Sequence, residues 1–241
     1  MSSSPRPSPN GPGFVTRYAF ASGYLTCFVV VDLVFASLTP HGQAALSAWA
    51  STNVANLSRE PIGPLVLSAF IAPGYVGLWP VLIALATFGA NRALGNLRTA
   101  LICVAGHVIG SLVSEGIVAA RVAAGQLPAA ARYLTDIGPS YVVVSAIVIA
   151  VICGSWLARS LALLDFAILV FGGDIFSGLS HLDVSAVGHL TSMLTAAVII
   201  AVNLTLAPGR RRRGRRRGSA TDEGPDQVGD PGGGGSQYQL S

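Results

Sequence analysis

Hydrophobic positions along the chain gather into six long runs, near residues 18–39, 69–90, 99–120, 137–157, 160–178 and 184–206. A helix rises 1.5 Å per residue, so about 20 residues cross a hydrocarbon core of ~30 Å. Each run therefore predicts a membrane-crossing helix. The first is too long for the apolar region of a cleaved signal peptide and reads as a true span. The second contains Pro73 and Pro80. Pro80 lacks a backbone donor and predicts a kink. The fifth is short and ends in Gly172-Gly173-Asp174.

Between and around these runs the chain changes character. Residues 1–16 are rich in Ser, Pro and Gly and read as a disordered tail. Residues 17–207 form the expected six-span domain. Residues 208–241 begin with the arginine cluster Arg210–Arg217 and continue as a low-complexity tail. The longest connection, 40–68, holds His41, Trp49, Asn53, Asn56, Arg59, Glu60, Pro61 and Pro64. Loops this long are uncommon unless they serve a function or are disordered. Its apolar start, with Ala44, Ala45, Leu46 and Ala48, predicts a partly embedded or surface-lying segment.

Composition sharpens this picture. Of 241 residues, 51% are hydrophobic and 11% charged, against roughly 25% charged in soluble domains. Such a chain cannot cover a water-facing surface, so lipid is its main solvent. The net charge of +4 comes from one terminal cluster and gives no reason to expect nucleic-acid binding. That cluster, Arg210–Arg217, suits anionic lipid headgroups, which attract basic residues by roughly 1 kcal/mol each. With both termini on one side, that side carries twelve arginines and the other three. The positive-inside rule then puts both termini in the cytoplasm of a multi-pass plasma-membrane protein. Cys27, Cys103 and Cys153 fall in three separate runs and form no CxxC or Cys/His cluster. Neither a disulfide framework, a metal site nor a cofactor is indicated.

Polar residues inside the runs carry the candidate chemistry, because ionisable groups in membrane spans usually face the bundle interior. They are Asp32, His107, Glu115, Asp165, Asp174 and His189. Ser140 lies four residues past Asp136, roughly 6 Å inside the fourth run, and His189 lies six past Asp183, roughly 9 Å inside the sixth. A serine and a histidine at similar depth can form a nucleophile and its base. His107 enters its run from the opposite side and is too deep to partner Ser140. His107, Ser111 and Glu115 recur every four residues and share one helix face. That stripe suits either a polar cavity or interhelical hydrogen bonding. Glu115 and Asp32 lie at a depth where either could orient a histidine.

The motifs Gly138-Pro139-Ser140 and Gly188-His189-Leu190-Thr191-Ser192 resemble those of the rhomboid family of intramembrane serine proteases, over residues 18–206. That family has a GxSG motif in its fourth span and AHxxG in its sixth. The resemblance implies an all-α, six-helix rhomboid-like bundle with Ser140 as nucleophile and His189 as general base. Phe88-Gly89 also looks like the FG of the family's second span. Aligned there, the family's oxyanion-supporting histidine and asparagine fall on Gly77 and Val81. Losing one such donor costs ~2.7–4 kcal/mol. Asn53 or Asn56 offers a substitute amide, and Gly138, Tyr141 and Glu115 are the supporting residues at hand. Tyr141 and Ser192 replace the closing glycines of the two motifs. A tyrosine there is expected to widen the contact between spans 4 and 6.

Three functions fit these residues. The first is an intramembrane serine endopeptidase cleaving membrane-anchored substrates through a Ser140–His189 dyad. The second is a catalytically inactive rhomboid-like protein that binds membrane helices. The third is a small transporter or channel built on Asp32, His107, Glu115 and Asp174. No repeat relates the two halves of the chain, which weighs against the last.

Overall fold

The computed structural model describes residues 13–74 and 77–206. The expected tail through residue 12, the Arg210–Arg217 cluster and the low-complexity C-terminus lie outside the described residues. Among the described residues the regular structure is entirely helical: α1 (Phe14–Arg17), α2 (Ala19–Ser37), α3 (Pro40–Ala50), α4 (Val54–Arg59), α5 (Ile62–Leu67), α6 (Leu78–Leu94), α7 (Asn96–Ala123), α8 (Ser140–Cys153), α9 (Trp156–Phe171) and α10 (Val184–Leu206), with three short 3-10 turns between them. The turn α1 falls within the segment expected as tail. A compact unit extends to Ala201.

Each of the six apolar runs supplies one helix, though with shifted limits. The second run begins its helix at Leu78, because residues 68–70 make a 3-10 turn instead. Pro80 is consequently the third residue of α6. Backbone N–H groups of a first turn have no intrahelical acceptor, so proline fits there without the expected kink. By length and composition α2, α7 and α10 can each cross a membrane, while α6 and α8 are apolar but shorter.

Helix α8 lies at the centre. Every residue from Tyr141 to Ala150 is buried. A helix apolar on all sides belongs inside a bundle rather than at its rim. Its 14 residues span only about 21 Å, short of a bilayer core, but surrounding helices shield it from lipid. Its core partners include Leu82, Ile83 and Ala86 of α6, Cys103 of α7, Ala162 of α9 and Ala196 of α10. The outer helices expose large apolar side chains, among them Leu33 and Val34 on α2, Leu101 and Leu112 on α7, Leu163 and Leu164 on α9, and Leu194 and Val198 on α10. Apolar area on this scale suits lipid, not water.

The long connection 40–68 folds into α3, α4 and α5 at the end of the bundle that holds Ser140. Thr39 caps α3, accepting from Gly42 N at 3.2 Å. Asn53 caps α4, accepting from Asn56 N at 2.9 Å. Phe35, Ala50 and Ile71 form a small core beneath these helices. Val54, Val118, Ala131 and Val184 form another. The opposite end gathers Arg17, Arg92, Arg98 and Arg159, where α2, α7 and α9 begin and α6 ends.

Candidate functional site

The Ser140 end of α8 is built by three backbone features. Gly138 adopts φ 150°, a conformation open to glycine and strained for other residues, and donates its N–H to Ser68 O at 2.9 Å. Pro139 then fixes φ at −73° as the N-cap residue. Ser140 becomes the first residue of the helix, half-buried, and Tyr141 the second.

Successive helical residues are rotated by about 100°, and that rotation decides which one faces α10. It is Tyr141, 3% exposed. A Cβ at Gly188 would overlap the Tyr141 ring and hydroxyl, so α10 offers a bare backbone patch on which the phenol lies. The ring meets His189 edge to face, with centroids 5.0 Å apart. On its other side it lies 6.0 Å from the ring of His107. The hydroxyl donates to Asp136 Oδ2 at 3.1 Å, with Oδ1 at 3.3 Å, and Val184 O lies at 3.4 Å.

Asp136 is anchored in turn by the α3–α4 junction. Thr52 Oγ1 donates to its carboxylate at 3.0 Å. Its N–H donates to Ser51 Oγ at 2.9 Å, and its carbonyl accepts from Thr52 N at 2.9 Å. Burial pushes the Asp136 carboxyl up to about 6, against the lowering effect of the Thr52 and Tyr141 hydrogen bonds, and the charge of Asp183 adds to the rise.

His189, 2% exposed, places Nδ1 3.0 Å from Ile175 O and 3.5 Å from Ser185 Oγ. A carbonyl only accepts, so Nδ1 carries the proton and Nε2 is left as the lone-pair nitrogen. Nε2 is buried without a hydrogen-bond partner. The Ser140 hydroxyl is therefore not hydrogen-bonded to His189. Ile175 O, not Glu115, orients the imidazole. Both Glu115 oxygens are buried without a partner, as is Ser111 Oγ one turn before it. His107 uses Nε2 to reach Leu65 O at 2.9 Å, with Ser68 Oγ at 3.2 Å. Of the His107–Ser111–Glu115 stripe, the histidine thus ties α7 to the α5 region. Among the described residues no group of three or more His, Cys, Asp and Glu side chains could hold a metal ion.

The contact between α8 and α10 stays close despite the tyrosine. Gly188 of α10 faces Tyr141 of α8, while Gly106 and Gly110 of α7 face Ser145 of α8 and Ser192 of α10. Ser192 Oγ donates to Gly188 O at 2.8 Å, with Gly106 O at 2.9 Å, and Ser145 Oγ to Tyr141 O at 2.8 Å. At Gly188 the missing Cβ leaves the room that Tyr141 takes, so the expected widening does not arise there.

The amides considered as oxyanion donors are engaged elsewhere. Asn53 caps α4, and Asn56 Nδ2 donates to Ala48 O at 2.8 Å and Ser51 O at 2.9 Å. Gly77 is exposed and Val81 is 53% exposed, and neither residue has a side-chain hydrogen-bond donor. Asp136, Thr52 and Ile175 O were not found by sequence reasoning. Asp136 served there only to mark a run's edge, and no local motif links residues 52, 136 and 175.

An all-helical bundle with lipid-suited faces, closed around a buried His–Tyr–Asp cluster, defines an integral membrane protein. The chain belongs to the rhomboid-like protein family, whose sequence model matches residues 17–208. No curated protein and no solved structure matches it.

Proposed function

We propose that this rhomboid-like protein binds membrane helices without cleaving them, spanning the plasma membrane six times through α2, α6, α7, α8, α9 and α10 with both termini on the cytoplasmic side. The observation carrying this reading is Tyr141. Its ring packs edge to face against His189 with centroids 5.0 Å apart, and its hydroxyl is fixed by Asp136. A serine nucleophile needs a base within hydrogen-bond reach to take its proton, and Ser140 is not bonded to His189. The positions aligned with the family's oxyanion residues carry no side-chain donor. Fluorophosphonate labelling of the purified protein tests this. Labelling no greater than that of Ser140→Ala is expected. Labelling that disappears in Ser140→Ala overturns the reading.

One observation favours the endopeptidase instead. Ile175 O holds His189 in the tautomer that leaves Nε2 as an unprotonated base. Catalytic hydrogen bonds are often loose before substrate binds. In that mechanism Ser140 Oγ attacks the substrate carbonyl while His189 Nε2 takes its proton and returns it to the leaving amine. The same labelling experiment separates the two readings.

A further inference from the structure

We propose that the groove between α6 and α9 holds an acyl chain of an anionic phospholipid, with the lipid phosphate at Arg92. The groove encloses about 570 Å³, within the usual size range of small-ligand sites. Its walls are Ala84, Leu85 and Phe88 on α6 and Leu157 and Leu161 on α9. It belongs to the arginine-rich end of the bundle, far from Tyr141 along α8, and Tyr18, Arg92 and Ser155 supply its polar lining.

Charge decides the occupant. Arg92 is exposed, and its Nη1 lies 3.5 Å from the Tyr18 hydroxyl. The Arg17 guanidinium stands over the Tyr18 ring, 5.7 Å from its centroid. Two cations thus flank one tyrosine at the groove's polar end. Every described carboxylate lies elsewhere: Glu60, Glu115, Asp136, Asp174 and Asp183 toward the Ser140 end, and Asp32 and Asp165 inside helices. The Ser155 hydroxyl caps α9, accepting from Ala158 N. The groove therefore joins an apolar trough to cations with no carboxylate among the described residues to neutralise them. Around it, Trp156, Leu157 and Val81 are exposed apolar residues on the same two helices, so the trough is continuous with lipid-suited surface. An apolar tail ending in a phosphate matches both parts, whereas a neutral partner helix would leave the arginines unanswered.

Native mass spectrometry of the detergent-purified full chain tests this, using dioleoyl phosphatidylglycerol and dioleoyl phosphatidylcholine as probes. Wild type is expected to retain one phosphatidylglycerol, about fivefold more tightly than phosphatidylcholine, the difference one basic residue provides at a membrane surface. Arg92→Gln should lose that preference. Arg98→Gln, at the same end but outside the groove, should keep it. Ala84→Trp should fill the trough and bind neither lipid above background. An unchanged headgroup preference in Arg92→Gln overturns the proposal. So does equal retention by wild type and a folded Ala84→Trp, or no retained lipid in wild type.

Discussion

Tyr141 and His189 pack edge to face with ring centroids 5.0 Å apart, and the backbone of Gly188 makes room for the phenol between them. This contact joins the central helix α8 to α10 and sets the environment of His189 Nε2, which is buried without a hydrogen-bond partner. The chemistry expected of Ser140 depends on it.

Removing the phenol hydroxyl isolates its share. Tyr141→Phe leaves the ring contacts but deprives Asp136 of a donor. The expected loss is about 1–3 kcal/mol, the cost of leaving a buried polar group short of a partner. Thermal unfolding in detergent should show a lowered midpoint, and an unchanged midpoint would place the weight of the contact on the ring alone.

Gly188→Ala should destabilise the bundle by about 1–3 kcal/mol or more, through overpacking against Tyr141. Because both residues occupy one space, Gly188→Ala and Tyr141→Ala together should cost less than their sum. A double-mutant cycle of unfolding free energies measures this. Strict additivity would mean that the two residues do not share that space.

Asp136 predicts a pH dependence. Its folded-state value of about 6 lies above the ordinary ~3.9 of an unfolded aspartate. The folded state therefore holds the proton more tightly. The stabilisation is complete below about pH 4 and is lost as pH rises toward and through about 6, by roughly 1–3 kcal/mol. Asp136→Asn cannot ionise and should flatten this part of the stability profile. Parallel profiles for the two proteins across that window would refute the assignment.

The two serines of α8 should behave differently. Ser140→Ala removes no bond to His189, and a change within about 0.5 kcal/mol is expected. Ser145→Ala removes a fully buried hydroxyl that bonds Tyr141 O at 2.8 Å, and about 1 kcal/mol should be lost. Urea or thermal titration of both variants checks the order. A larger loss at Ser140 would reveal an interaction that the packing does not contain.

Much of the bundle was legible in the chain. Each apolar run became a helix, and the 40–68 connection holds three short helices that the sequence reading did not assign. Helix limits were less legible. The helix of the second run begins only at Leu78, after a 3-10 turn at Ser68–Phe70, and Pro80 moved from a predicted kink to a first turn. Hydropathy does not distinguish apolar residues inside a helix from apolar residues leading into one. Of the candidate site, the sequence singled out His189 but not the groups that touch it. Asp136 and Thr52 are 84 residues apart, and the carbonyl of Ile175 carries no side-chain signature at all.

The sequence by itself determined that this is an all-helical membrane protein with rhomboid-like motifs, because partition into lipid depends on apolar content along the chain and the motifs are local. Only the tertiary structure decided which of two adjacent residues meets the histidine. Ser140 and Tyr141 differ by one position and by about 100° around the helix axis. The rotation of α8 is fixed by residues outside that helix: Gly188 opens a place for a ring, and Asp136, held by Thr52, accepts its hydroxyl. A linear motif records the order of residues but not the direction each faces, and at this site direction separates a serine beside a base from a tyrosine packed against it.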